Sequence, residues 1–275
     1  MSKIINYIQK NGLGWTILFA LRAACMRFDA CLRGRVIPWL DSSLVAQECR
    51  TFIIGPESVS SKAFTKEYNQ EFYNRYDWSD SGEEWTRDVD GYMGKDPETW
   101  KKNLIDGMLI PNIPEGCTVL EIGPGGGRWT EVLLGRCGHV HVADVSEVCL
   151  DLCRKRFSEK TNITYHHITR GTLEFLPDAS LDRVWSYDVF VHINPNETSQ
   201  YLKEFARVLK PGGIGVIHHA GVYDKAHMKK MLAAGRAPMT RDFFAHLVVD
   251  AGLSLVGQNS TLIHFPHDVI TVFRK

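Results

Sequence analysis

From residue 117 onward, short runs rich in valine and isoleucine alternate with longer stretches of helical periodicity. The runs at 117–122, 139–145, 162–168, 181–187, 213–220, 253–258 and 269–274 predict strands. The intervening stretches at 146–157, 195–209 and 240–251 predict helices, the last opened by Thr240 as N-cap with Asp242 in its first turn. Strand alternating with helix implies a mostly parallel sheet with helices on both faces. Ligands on such sheets bind at the carboxyl ends of the strands, near the point where strand order reverses.

The pattern upstream is different. Residues 64–102 are rich in aromatics and acids and poor in aliphatic runs, which predicts short helices and turns on the surface. Two readings stand for this segment: a solvated cap packed through Tyr68, Phe72, Tyr76 and Trp85, or a lid over a pocket. Residues 1–40 carry Lys3, Lys10, Arg22, Arg27, Arg33 and Arg35 against Asp29 alone, interleaved with the apolar run at 13–21. A mid-membrane Arg costs about 2.5–3.5 kcal/mol and an apolar residue returns only about 0.3–0.6. This arm is therefore not expected to span a bilayer, and no small-residue cleavage site marks it as a signal peptide. It reads either as an amphipathic helix packed on the main domain or as one lying on an anionic membrane surface with Trp15, Phe19 and Met26 inserted. The expected organisation is a basic arm at 1–40, a cap or lid at 41–110 and a main domain at 111–275.

Composition narrows the function classes. Of 275 residues 44% are hydrophobic, enough for a sizeable core, and Lys plus Arg equals Asp plus Glu at 32 each. A neutral chain lacks the cation surplus of a general nucleic-acid binder. The seven cysteines contain no CxxC pair and the eleven histidines no metal-ligand spacing, so reduced thiols in a cytoplasmic protein, and no metal, are expected. His166 and His167 read as structural, and His139 and His141 share one strand face, in a helix-covered, hydrogen-bonded location rather than as a metal pair. Arg236 and Arg241 read either as a solvated helix start or as anchors for an anionic substrate.

The chemistry concentrates at VLEIGPGGGRW, 119–129, where a predicted strand ends in Glu121 and four glycines follow within five positions. Glycines there let a ligand approach the backbone and allow positive φ. A dinucleotide fingerprint would space them as GxGxxG and set a pyrophosphate on the helix N-terminus. Here the third glycine comes one place early, and Glu121 would face the phosphate with its own charge. Asp144, 21 residues after Gly123 at the end of the second predicted strand, suits a ribose diol. A ribose without phosphate joined to a cation describes S-adenosylmethionine.

At this point the sequence resembles the class I S-adenosylmethionine-dependent methyltransferases. VLEIGPGGGRWTEVLL looks like their first motif, HVHVADVSEVCLDLCRKRF their second, LPDASLDRVWSYDVFVHI their fourth-strand motif and LKPGGIGVIHH the turn into the fifth strand. The resemblance covers about 117–275 and implies a seven-stranded Rossmann-like α/β sheet of order 3-2-1-4-5-7-6, with 269–274 antiparallel. It implies that Glu121, Gly123, Gly125 and Gly127 shape the site for the methionine half, that Asp144 holds the ribose and that Val145 flanks the adenine. The family often places an acidic residue against the adenine amino group after the third strand. The stretch TRGTLEFLPD offers none from Arg170 to Leu173, so backbone groups of Gly171, Thr172 or Leu173 are expected there. Tyr187 or Ser186 is expected to make backbone contacts to the methionine portion.

A base is needed most for a hydroxyl acceptor, and His219, His192 and Asp188 are the candidates, with His218 excluded if strand alternation turns His219 toward the pocket. The expected activity is metal-independent O-methylation of a sugar or other small metabolite, with lipid-linked presentation at a membrane surface left open by residues 1–40. Two rivals remain: a catalytically silent partner protein with this fold, and an RNA or protein methyltransferase. The absence of an NPPY-like motif near the fourth strand argues against methylation of a base amino group.

Overall fold

A computed structural model of the chain describes residues 64–78, 80–84, 96–169, 172–221, 235–263, 265 and 267–275. The basic arm expected at 1–40, the first part of the cap region at 41–63, and Trp85 lie outside the described residues. The seven strands are β1 (Thr118–Ile122), β2 (His139–Asp144), β3 (Ile163–His167), β4 (Leu181–Phe190), β5 (Leu209–Ala220), β6 (Ser254–Asn259) and β7 (Asp268–Arg274). They form one sheet of order β3-β2-β1-β4-β5-β7-β6, as expected. All pairings are parallel except those of β7, which runs antiparallel to both β5 and β6.

Among the described residues, six α-helices of seven or more residues accompany the sheet: α1 (Lys66–Arg75), α2 (Pro97–Leu104), α3 (Arg128–Leu134), α4 (Glu147–Arg156), α5 (Pro195–Val208) and α6 (Arg241–Asp250). Side-chain caps fix their starts. Thr65, Asp96, Ser146, Asn194 and Thr240 each accept from a backbone N–H in the first turn. Helix α3 instead begins at Gly127 in a left-handed conformation, with φ of 93°.

Alternation along β1 divides the core between two layers. Leu120 and Ile122 pack with Phe205 of α5 and Phe243 and Phe244 of α6 on one face. Val119 packs with Leu133 of α3, Leu150 of α4 and Trp100 of α2 on the other. Both faces are covered, which explains why these strands read as nearly continuous apolar runs. The reversal of strand order falls between β1 and β4, and the carboxyl ends of these strands open toward α1.

β4 runs three residues past its expected end because its pairing with β5 shifts register between Ser186 and Phe190. Asp188 sits in that irregularity with φ of 66°. A bulge of this kind re-aims side chains at a strand end. Helix α1 does not pack as expected: Tyr68 and Phe72 are 44% and 45% exposed and stack on each other at 6.4 Å. The inward face consists of Asn69 and Tyr73, one turn apart, and Asn69 donates to the His192 carbonyl at 2.9 Å. No helix among the described residues is long and apolar enough to cross a membrane.

Candidate active site

A cavity of about 970 Å³, counting its open mouth, lies at the carboxyl ends of β1, β2 and β4 and is roofed by α1 and Trp78. Its floor is the turn Gly123-Pro124-Gly125, where Gly123 and Gly125 take φ of 73° and 55°. A Cβ on Gly123 would lie 2.3 Å from Val189, and one on Gly125 would lie 2.8 Å from the Trp78 ring. The approach of other groups to this backbone therefore depends on the absence of side chains. Gly127 does not line the cavity; its own missing Cβ would meet Phe157 at 2.7 Å.

Glu121 is buried beneath the turn and accepts from the Thr130 hydroxyl at 2.6 Å. Burial pushes its carboxyl up to about 7, against that hydrogen bond. Asp144 does line the cavity, beside Val145. Burial pushes it up to about 6 despite the Ser146 N–H at 2.8 Å and further backbone donors on Val145 and Gly125. Two buried carboxyl groups thus flank a turn whose Gly123 and Gly125 backbone lines the cavity. This arrangement suits a ligand that brings hydrogen-bond donors and positive charge, and it disfavours a diphosphate.

The proton-handling residues are sorted by strand parity. His219 is fully buried on the far face of the sheet, where it stacks on Phe244 at 3.7 Å and bonds the Ala220 carbonyl and the Thr271 hydroxyl, both at 2.7 Å. It does not reach the cavity, so the expected parity is reversed and His218 is the ring on the near side. His218 stacks on Tyr187 at 4.2 Å, and its Nδ1 accepts the Asp188 N–H at 3.1 Å, supporting the left-handed backbone there. That bond assigns the proton to Nε2, which lies 3.5 Å from Asp268.

His192 and Asp188 both line the cavity. His192 Nδ1 lies 2.8 Å from the Gly235 carbonyl. A carbonyl only accepts, so Nδ1 carries the proton and Nε2 keeps a lone pair with no hydrogen-bonding partner among the described residues. Burial, followed by the charge of Arg236, holds the imidazole down to about 4, so it is neutral at physiological pH. Arg236 also lines the cavity and reaches Asp268 at 3.1 Å and Asp188 at 3.5 Å. Asp188, His218 and Asp268 bring ligand atoms within 4.8 Å of one another, but the guanidinium already supplies a positive charge to both carboxylates. Arg241, by contrast, bonds Gln258 at 2.9 Å.

The residues expected to contact the adenine through their backbones are placed only in part. Leu173 is fully buried with its N–H given to Glu204 at 2.8 Å, Thr172 is exposed, and neither lines the cavity; Arg170 and Gly171 lie outside the described residues. Tyr187 lines the cavity, whereas Ser186 is bonded to the Ile122 carbonyl at 2.9 Å. Sequence reasoning missed Tyr73, Arg128, Glu197 and Tyr201, all of which line the cavity. Arg128 carried a signal, since it directly follows the last glycine; the others are polar or aromatic residues in stretches read as cap or helix.

Residues 119–213 match the family described as a methyltransferase domain. The chain is 32% identical over 123 residues to the arsenite methyltransferase of Mus musculus, a match covering 39% of this chain and 31% of that protein. It is 36% identical over 101 residues to the demethylmenaquinone methyltransferase of Tropheryma whipplei (strain Twist), covering 37% of this chain and 41% of that protein. The chain thus spans about a third to two-fifths of the length of these curated relatives. The N-methyltransferase NodS from Bradyrhizobium japonicum WM9, solved in complex with S-adenosyl-L-homocysteine, shares the fold with a TM-score of 0.54 and 17% identity, over 76% of this chain and 98% of that one. The strand order, the glycine turn and the domain match over 119–213 agree with the fold of the class I S-adenosylmethionine-dependent methyltransferases.

Proposed function

We propose that this protein transfers a methyl group from S-adenosylmethionine to a hydroxyl of a sugar or other small metabolite, with His192 taking the acceptor's proton. The residues present fit that cofactor. Asp144 would hold the ribose hydroxyls, the Gly123–Gly125 backbone would face the methionine portion, and Arg128 beside it would suit the carboxylate. When bound, the cofactor supplies an electrophilic methyl group, so the protein's main task is alignment, a contribution of up to about 7–11 kcal/mol. Tyr73 and Trp78 close the roof and keep water from the reacting groups.

The observation that carries the choice of acceptor is the His192 tautomer. A neutral imidazole with Nδ1 tied to Gly235 leaves its second nitrogen as a base, which matters most for an acceptor that holds its proton as tightly as a hydroxyl does. The O–H proton passes to Nε2, and the Asp188 carboxylate, which raises the proton affinity of His192, stabilises the imidazolium. The two curated relatives are named for acceptors of unrelated chemistry, so likeness to them does not choose the atom and the cavity must.

The test is turnover, read as release of S-adenosylhomocysteine, on a panel of hydroxylated metabolites and the same compounds blocked as methyl ethers. Turnover that depends on the free hydroxyl and is lost in His192→Gln supports the reading. Turnover only on amines or thiols discards the hydroxyl, and tight cofactor binding without turnover on any extract favours the silent-partner alternative.

A further inference from the structure

We infer that Glu197 recognises the 6-amino group of the cofactor's adenine, doing from α5 what an acidic residue after β3 would otherwise do. The inference rests on the cofactor assignment above. It starts from a gap: among the described residues the segment after β3 brings no acid to the cavity, and the Leu173 N–H, which could have met a ring nitrogen of the adenine, is committed to Glu204 at 2.8 Å.

A chain of contacts locates Glu197 at the cavity end next to Asp144. The Ile168 N–H bonds the Asp144 carbonyl at 2.8 Å, which sets the end of β3 beside the ribose-binding position. The adjacent Thr169 carbonyl accepts from the Lys66 ammonium, and the Lys66 backbone N–H reaches Glu197 Oε1 at 3.4 Å. Tyr201, one turn further along α5, feels the charges of both Glu197 and Asp144. Val145, Ile168, Ile193 and Tyr201 line the same cavity as Asp144 and Glu197, a largely apolar slot with carboxylates in its lining.

A flat apolar ring with donor hydrogens on one edge fits this slot, and among the parts of the proposed cofactor only adenine has that character. A carboxylate can accept about four hydrogen bonds. Among the described residues Glu197 takes a long bond from the Lys66 N–H and one from the Asn194 side chain, and so retains capacity for an N–H from a ligand. The neighbouring Lys66 disfavours a second full cation, which selects a neutral amino group over an ammonium-bearing acceptor.

The test is calorimetric titration of the full chain with S-adenosylhomocysteine and with its analogue lacking the 6-amino group. Wild type is expected to prefer the amino form by roughly tenfold to a hundredfold, the range of a hydrogen bond to a charged group. Glu197→Ala is expected to lose that preference, with affinity for the 6-deamino analogue held within about twofold of wild type. Glu197→Gln, which keeps an acceptor oxygen without the charge, is expected to fall between them. Binding of the 6-deamino analogue also reports that each variant is folded; the side chain is not the α5 cap, since Asn194 bonds the Glu197 backbone N–H. Equal weakening of both ligands in Glu197→Ala overturns the inference, as does a wild type that does not discriminate. Failure of wild type to bind either ligand instead overturns the cofactor assignment, a result visible before any variant is made.

Discussion

Glu121 offers the sharpest test of how the site is built, because its carboxyl is buried before any ligand arrives. Burial pushes it from an ordinary 4.5 up to about 7. The folded state therefore holds a proton that the unfolded chain has already released, and stability falls as pH rises between those two values. The difference is about 2.5 pH units, equivalent to about 3 kcal/mol at most, since each unit corresponds to about 1.36 kcal/mol. Glu121→Gln keeps the shape and the contact to Thr130 but does not titrate. Near pH 8 it is expected to be more stable than wild type by up to about 3 kcal/mol, and near pH 4.5 the two should be alike. Urea unfolding at half-unit pH steps gives both curves, and their difference cancels, to first order, the parallel contributions of Asp144 and Asp268, which burial also pushes up, to about 6 and about 8. A difference curve that is flat across pH 4.5–8 would refute the claim that the carboxyl is strained by burial in the ligand-free site. The same substitution is expected to weaken S-adenosylhomocysteine, so a gain in stability accompanied by a loss of binding is the full signature.

Three further outcomes follow from the geometry. Asp144→Ala is expected to lower affinity for S-adenosylhomocysteine by about tenfold to a hundredfold in calorimetry, because it removes charge-assisted bonds to the ribose. With the His192 imidazole held down to about 4, kcat is expected to stay level from pH 8 to pH 5 and to fall only as pH approaches 4 and the base is protonated, while His192→Gln lowers kcat by about 10²–10⁴-fold across the level range. Gly123→Ala, which combines φ of 73° with a 2.3 Å clash on Val189, is expected to cost about 2–4 kcal/mol in urea melts, whereas Gly212→Ala, at φ of 78° in open space, costs only the backbone strain of about 1–2 kcal/mol.

Much of the architecture could be read from periodicity, and the exceptions have identifiable causes. The strands are covered on both faces, so burial wrote itself into continuous apolar runs, and each of the seven was found within a few residues of its observed bounds. The end of β4 was misjudged because a register shift and a left-handed Asp188 leave no mark on hydropathy. The same shift bears on the histidines. Alternation predicts that His218 and His219 face opposite ways, but only the register against β4 and β7 determines which one faces Asp188. Gly123, Gly125 and Asp144 could be picked out as cavity residues because residue type at fixed spacing marks them. Glu197 could not, because it sits at the third position of a capped helix, where an acidic residue needs no ligand to explain it.

The glycine turn itself answers a different demand from the one its sequence suggests. In the expected role its glycines make room for a ligand, yet each missing side chain is matched by a neighbour within the protein. Val189 of β4 lies over Gly123, Trp78 over Gly125, the backbone of Ser81 and Gly82 over Gly126, and Phe157 over Gly127. Arg156 ties the same junction together by donating to the Ser81 carbonyl at 2.6 Å and the Gly126 carbonyl at 2.8 Å. The turn is therefore the point where the roof, the end of β4 and the region after α4 converge at backbone distance, and a side chain at any of these four positions would displace one of them. Such a junction couples the floor of the cavity to its roof: a ligand that settles on the Gly123–Gly125 backbone must shift or engage Trp78, and through the 80–84 loop it bears on Arg156 and α4. Any movement of Trp78 would therefore be felt at the Gly123–Gly125 backbone.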